Sequence, residues 1–144
     1  MKRWQQPSVE LTKKEQFVIK RPERTRKLFA FLRLHQHELF DDRFKEELEG
    51  MYRDTGAGEE PVPPALFCMA LLLQRYHRVS DAEAVQLTVM DLGWQMVLDC
   101  VGTDEPAFAQ GTLQAFRDRL IAADLDRRLL ERTIELARQT MEFD

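Results

Sequence analysis

Two apolar helices separated by a very short turn constrain the fold of this chain most strongly. Pro63 and Pro64 precede residues 66–76, which are apolar on nearly every side, so the pattern predicts a buried central helix beginning near Pro64. Ser80 and Glu83 have the spacing of a capping box, which predicts the start of the next helix. Helix-turn-helix DNA-binding domains begin with two helices joined by a turn of this kind.

The rest of the chain has helical rather than strand periodicity. Before the central pair, the pattern predicts a helix from residue 24 with a break at residues 35–39, and then a helix capped by Asp41 or Asp42 with Gly50 just beyond its end. After the pair, it predicts a break at Gly93 and a short apolar helix over residues 94–101. A helix capped by Thr112 or Gln110 and a last helix over residues 124–141 complete the chain. We therefore predict an all-α fold, a compact bundle of about six helices containing a helix-turn-helix-like unit.

The composition is that of one domain with a single core. The chain has 144 residues, of which 44% are hydrophobic, yet no apolar run approaches the length of a membrane span. The N-terminus lacks the apolar region of a secretory signal. Cys68 and Cys100 lie in apolar runs without a nearby Cys or His cluster, so we expect buried thiols in a cytoplasmic protein, with no metal site and no cofactor.

The charge is distributed unevenly along the chain. Residues 1–35 hold ten lysines and arginines against three glutamates, a net charge of +7, whereas residues 36–105 hold five against fifteen acidic residues, a net charge of −10. We divide the chain into a basic N-terminal arm, residues 1–23, expected to be extended or partly ordered, and a helical domain, residues 24–144. Such an arm fits a segment that binds phosphate, and it fits equally a solvated tail without a partner.

Seven short motifs carry a resemblance to a known family. In chain order they are Tyr52, Asp54-Thr55-Gly56, Pro63-Pro64-Ala65-Leu66, Ser80-Asp81-Ala82-Glu83, Gly93-Trp94, Glu105-Pro106 and Thr112-Leu113-Gln114-Ala115-Phe116-Arg117-Asp118-Arg119-Leu120. Over about residues 26–140 the chain thus resembles the N-terminal domain of InsH-type insertion-sequence transposases. It departs from the family at Gly56-Ala57-Gly58, where Gly-Arg-Pro is usual, and at Gly111, where Ser is common.

The resemblance implies a DNA-binding domain that recognises transposon ends during DNA transposition. Its partners would be double-stranded DNA and either a second copy or a full-length transposase. In the family this domain precedes an RNase H-like domain whose Asp/Asp/Glu triad binds two metal ions for strand cleavage. The sequence reaches Asp144 without an alternating strand pattern, so we expect no catalysis from this polypeptide.

Arginine and glutamine side chains in the seventh motif are candidate base contacts. Arg117, Arg119 and Gln114 lie on the expected solvent side of their helix, and these side-chain types read guanine and adenine edges. The alternative is that Arg117 pairs with a neighbouring carboxylate such as Asp118 or Asp124 and is a surface residue without a binding role.

Other candidates lie at the end of the central helix and in the basic segment. Arg75 and Arg78 can contact phosphate, although positive charge there also complements the helix dipole. Lys20, Arg21 and Arg24 are the expected phosphate contacts of the basic segment. That segment interleaves its cations with two aromatic residues, as a minor-groove arm would, and comprises Lys13, Lys14, Lys20, Arg21, Arg24, Arg26 and Lys27 with Trp4 and Phe17.

The second helix of the pair is acidic for a recognition helix. It carries Asp81 and Glu83, which leaves Gln86 and Thr88 as its candidate base readers, and the alternative is a helix that only packs. A second function is therefore open: a helical protein–protein interaction or oligomerisation module, or a truncated transposase that acts as a regulator. Exposed apolar residues such as Trp94, Met96 and Phe108 would form its contact surface.

Overall fold

The computed structural model describes residues 8, 10–20, 26–52 and 62–140, and those residues form α-helices without a β-strand. The helices are α1 (Lys13–Lys20), α2 (Arg26–Leu39), α3 (Asp42–Gly50), α4 (Pro64–His77), α5 (Asp81–Met90), α6 (Leu92–Val97), α7 (Gln110–Ala122) and α8 (Asp126–Thr140). The predicted all-α class is confirmed. No helix in the described ranges is both long enough and apolar enough to cross a membrane.

Helix α4 forms the centre of the bundle, as its apolar sequence predicts. Pro64 occupies the first helical position, where its missing N–H leaves no hydrogen bond unmade. Phe67 is fully buried, and its ring stacks on that of Phe116 from α7 with centroids 4.7 Å apart. Burial also raises the pKa of the Cys68 thiol, which therefore stays protonated.

Side-chain caps fix the starts of α3 and α5 where the sequence predicts them. The Asp41 carboxylate accepts a hydrogen bond from the N–H of Phe44 at 2.8 Å, and the Ser80 hydroxyl accepts one from the N–H of Glu83 at 3.1 Å. The predicted cap of α7 is wrong. That helix begins at Gln110, and Ala109 stands at the cap position without a side-chain hydrogen bond.

Of two predicted interruptions, the one in α2 is absent because tertiary packing overrides local preference, and the one near Gly93 is displaced by two residues. Helix α2 runs unbroken to Leu39, since Gln36 and Leu39 on its last turn are buried in the core. The break before the short apolar helix falls at Asp91, between α5 and α6, so Gly93 is the second residue of α6 and faces the buried ring of Phe29. A Cβ atom at Gly93 would stand 2.4 Å from Cε2 of that ring, so any larger residue would force the ring or the helix to shift. Gly50 was predicted just beyond the end of α3, but it is the last residue of that helix.

The N-terminal segment is helical where an extended or partly ordered arm was expected, so that expectation is wrong for Lys13–Lys20. Thr12 and Glu15 form a reciprocal capping box, with hydrogen bonds of 3.1 Å and 2.9 Å, that starts α1. Helix α1 packs on α2 and α6 through buried Val18 and through Glu15, whose Oε2 lies 2.7 Å from Nε of Arg33. The domain boundary between residues 23 and 24 lies outside the described residues and stays a prediction.

Arginines from α7 and α8 close the C-terminal ends of α2 and α3. The last carbonyl groups of a helix have no partner within it. Arg132 donates to the carbonyl oxygen of Leu39, the last residue of α2, at 2.8 Å, and Arg119 donates to that of Met51, just after α3, at 3.1 Å. Arg128 adds an ion pair with Glu47 at 2.6 Å. Much of the arginine content of the C-terminal half thus holds the bundle together.

Candidate nucleic-acid interface

The turn between α4 and α5 consists of residues 78–80 and borders a groove. Arg78 adopts a left-handed conformation, with φ 56° and ψ 50°, which reverses the chain at the end of α4. The groove lies between α4, α7 and α8 and has a volume of about 540 Å³. Its lining is mostly apolar with a charged rim, and comprises Leu71, Leu72, Gln74, Arg75, Arg78, Val79, Ser80, Asp81, Arg117, Leu120, Ile121, Asp126, Leu129 and Leu130.

Arg75 and Arg78 are the cations of this rim that remain available to a ligand. Both side chains are exposed, and neither forms an ion pair or hydrogen bond with any residue in the described part of the chain. Their position at the C-terminal end of α4 complements the helix dipole. The structure thus brings Arg75 and Arg78 together beside one turn, and their guanidinium donors, unoccupied by any described residue, can bind phosphate oxygens.

Arg117 lies on the same rim but is held by the protein itself. Its guanidinium group forms an ion pair with Asp81, the first residue of α5, and donates to the Oε1 atom of Gln74 at 2.9 Å. Gln74 in turn donates to Asp81 at 2.7 Å, which closes a three-membered network joining α4, α5 and α7. The partner is therefore Asp81, thirty-six positions away, and not Asp118 or Asp124. No local sequence pattern indicates such a pairing.

The network changes the acidity of its members. The hydrogen bond from Arg117 is the largest influence that holds the pKa of Asp81 below its usual range, and burial opposes it. The same hydrogen bond raises the pKa of Arg117. At neutral pH the negative charge of Asp81 is thus compensated beside the turn, and a phosphate group approaching Arg78 meets less repulsion than the sequence alone suggests.

Replacing Asp81 by asparagine is expected to lower the free energy of unfolding by about 1 kcal/mol at pH 7, because Arg117 loses a charged acceptor. Since the folded-state pKa of Asp81 is depressed, its contribution is present above the unfolded pKa of about 4 and is lost as pH falls through the folded value. Urea denaturation of both proteins across pH should show their difference shrink below about pH 4. Exposed Asp104, replaced by asparagine, is the control. A difference independent of pH would contradict the assignment.

The remaining sequence candidates fall in different places. Arg119 points towards the end of α3, where it caps Met51 and lies 4.4 Å from the ring centroid of Tyr52. Gln114 is exposed on α7. The structure does not describe the side chain of Lys20, which ends α1, and Arg21 and Arg24 lie outside the described residues. Of the candidates whose side chains the structure describes, Arg119 and Gln114 therefore lie outside the groove with Arg75 and Arg78.

Helix α5 retains one of its two candidate base readers. Thr88 is fully buried, donating to the carbonyl of Val85 at 2.7 Å and accepting from the N–H of Ala107 at 3.1 Å, so its proposed base contact is wrong. Gln86 and Glu83 are exposed. The apolar residues expected at a protein-binding surface are wrong as well, because the core encloses all three: Trp94, Met96 and Phe108.

Comparison with known proteins adds a family. A family model described as a transposase domain (DUF772) matches residues 18–119, which include all of α2 to α6 and most of α7. No curated protein and no solved structure matches the chain. The matched region contains the α4–α5 turn and the rim arginines.

Proposed function

Because this chain belongs to the DUF772 family of transposase domains, we propose that it is a DNA-binding domain that recognises the ends of a transposable element. Within that family we assign it to the InsH type, as the N-terminal domain of such a transposase. The proposal makes double-stranded DNA the ligand. It requires no cofactor, since cationic and polar side chains suffice for phosphate and base contacts.

The observation that carries the proposal is the pair of exposed, unpartnered arginines at the α4–α5 turn. The partly buried arginines of the C-terminal half, Arg117, Arg119, Arg128 and Arg132, all have carboxylate or carbonyl partners, whereas exposed Arg127 and Arg138 are spaced along α8 without one among the described residues. Arg75 and Arg78 have none among the described residues, and they stand together where two helices meet. Guanidinium groups bind phosphate oxygens through two parallel hydrogen bonds, which makes the turn suited to the DNA backbone.

We propose that α4, the turn and α5 act as a helix-turn-helix unit. Helix α5 would then approach the major groove, with Gln86 as its exposed base reader. The ion pair with Arg117 compensates Asp81 at the N-terminal end of α5. Glu83, an exposed carboxylate three residues before Gln86 on the same side of the helix, accepts from the Ser80 hydroxyl at 3.2 Å and would oppose close approach of a phosphate there.

The basic N-terminal residues would supply further phosphate contacts. Lys20, Arg21 and Arg24 are assigned that role from their charge and from their position within the family match, near its start. Binding, rather than strand cleavage, is the activity proposed for this domain. Guanidinium groups hold phosphate, whereas two-metal cleavage uses carboxylates that converge on the ions.

Fluorescence anisotropy tests the proposal directly. The purified chain is titrated with labelled duplex carrying the sequences that flank its gene, and with a scrambled duplex, over a series of salt concentrations. We expect tighter binding to the flanking sequence and a linear fall of log K with log salt concentration. If neither duplex binds at low salt, the proposal is wrong and the interaction-module function takes its place. The half-buried leucines of the groove, Leu71, Leu72 and Leu130, favour that second function.

Replacing Arg75 and Arg78 together by glutamine is expected to weaken DNA binding about a hundredfold, roughly tenfold for each guanidinium group removed. The slope of log K against log salt should also fall by about 2, because two phosphate contacts disappear. The matched control replaces Arg127 and Arg138, two exposed arginines of α8, by glutamine, which changes the net charge equally. Equal weakening in the two double variants would show that only net charge matters and would contradict a site at the turn.

A further inference from the structure

Helix α1 presents an exposed aromatic ring one turn after two adjacent lysines. The Phe17 side chain is 59% exposed, although a phenyl ring on a helix that packs against a core is ordinarily turned inward. Lys13 precedes it by four residues and Lys14 by three, so all three share one face of the helix. The opposite face is buried through Glu15 and Val18. The exposure of Phe17 is therefore imposed by the way α1 docks.

Two lysines supply positive charge on the same face as Phe17, and the nearest acid along α1 is paired with an arginine. Lys13 and Lys14 are exposed and form no ion pair with any residue that the structure describes. The carboxylate of Glu15, which lies between Lys14 and Phe17 in sequence, is occupied by Arg33 at 2.7 Å on the buried side. The exposed face of α1 thus offers one apolar ring and two ammonium groups that no residue in the described ranges occupies.

The docking of α1 is also firm enough to support that ring. Arg33 binds both carboxylate oxygens of Glu15 and the carbonyl oxygens of Ser8 and Glu10, the latter two at 2.7 Å and 3.1 Å respectively. One buried guanidinium group therefore fixes both the helix and the chain that leads into it. A side chain that separates stacked nucleobases needs such a rigid support, because unstacking two neighbouring base pairs costs free energy.

We propose that Phe17 inserts between base pairs from the minor groove of duplex DNA while Lys13 and Lys14 bind the flanking phosphates. Apolar wedges flanked by cations kink DNA in this way. The proposal rests on the proposed DNA-binding function and adds a second contact surface on α1, separate in sequence from the α4–α5 turn. Duplex DNA is chosen as the occupant because it combines phosphates for both lysines with an apolar stack for the ring.

The test measures bending and affinity separately. A short duplex carries a donor and an acceptor fluorophore at its two ends, and energy transfer is recorded as wild-type protein, Phe17→Ala or Ile134→Ala is added. Ile134 is a comparable control, since its apolar side chain is also exposed, on α8. We expect wild type and Ile134→Ala to increase energy transfer. Phe17→Ala should bind about tenfold more weakly and leave the duplex straight.

The outcomes distinguish this proposal from the proposed function. If wild-type protein binds no duplex at low salt, DNA binding itself fails. If Phe17→Ala binds and bends the duplex like wild type, only the wedge is overturned. Light scattering without DNA provides a further test, because loss of a dimer in Phe17→Ala would show that Phe17 serves an interface between copies and would also overturn the wedge. Thermal unfolding of Phe17→Ala should match wild type, since the ring is exposed.

Discussion

Replacing Gly93 by alanine is expected to lower the free energy of unfolding by about 3 kcal/mol, the upper end of the range for overpacked cores. The new Cβ atom would stand 2.4 Å from Cε2 of the Phe29 ring and 2.6 Å from two of its other atoms. That ring cannot move aside easily, because it is 2% exposed and stacks on His77 at a centroid distance of 5.5 Å. Urea denaturation monitored by circular dichroism measures the destabilisation.

A matched glycine supplies the control for Gly93. Gly111 also lies inside a helix, α7, but a Cβ atom there would meet nothing within 4 Å. Gly111→Ala should therefore raise stability by about 0.5–1 kcal/mol through helix propensity alone. A double variant carries both Gly93→Ala and Phe29→Leu. The leucine lacks the ring atoms that crowd the new Cβ atom, so the double variant should lose less free energy of unfolding than the two single variants lose in sum. Strict additivity would show that the ring is not the cause.

Replacing Arg33 by methionine is expected to cost about 3 kcal/mol, as breaking a buried ion pair does when one partner remains. The side chain of Arg33 is 2% exposed and that of Glu15 is 8% exposed, so the carboxylate would be left in a largely dry site. Burial alone raises the pKa of Glu15, but hydrogen bonds from Arg33 and Thr12 outweigh it and hold that pKa below its usual range. The ion pair thus stabilises the fold above the unfolded pKa of about 4.3 and is lost as pH falls through the folded value.

Hydrogen exchange separates a local effect from a global one in the Arg33 variant. The amides of α1 should lose protection more than those of α4, because Arg33 holds α1 to α2. Arg43→Met is the control, since Arg43 is 85% exposed and lies 3.8 Å from Glu47, and a surface pair of that kind contributes at most about 1 kcal/mol. Equal unfolding midpoints for wild type and Arg33→Met would refute the structural role of the pair.

Features that depend on neighbours in sequence were predictable. The caps at Asp41 and Ser80 need only residues three positions apart, and both occur as expected. The capping box of Thr12 and Glu15 is equally local, yet the prolines and charges around it suggested an extended segment. Gly93 was misassigned as the break although a local cap precedes it: the Asp91 carboxylate accepts from the N–H of Trp94 at 3.0 Å and starts α6. Only the close approach of Gly93 to Phe29, sixty-four positions earlier, depends on tertiary packing.

Some properties of the candidate site follow from the local sequence, and others depend on folding. That Arg75 and Arg78 share one end of α4 follows from helical spacing, and the structure leaves both exposed. The roles of Arg117 and Arg119 depend on partners brought together by folding, Asp81 on α5 and Met51 after α3. A sequence shows how many arginines a chain has, but only the tertiary arrangement shows which of them the protein has already occupied.

The arginines that close α2 and α3 bear on where this domain can be cut for expression. The family match ends at residue 119, whereas Arg128 and Arg132, which reach back to Glu47 and to the end of α2, lie beyond it. The match also starts at residue 18, after Glu15. A recombinant fragment trimmed to the match would lack these interactions at both ends. Residues 8–140 are the sensible minimum for producing a folded sample, because Arg33 also binds the carbonyl oxygen of Ser8.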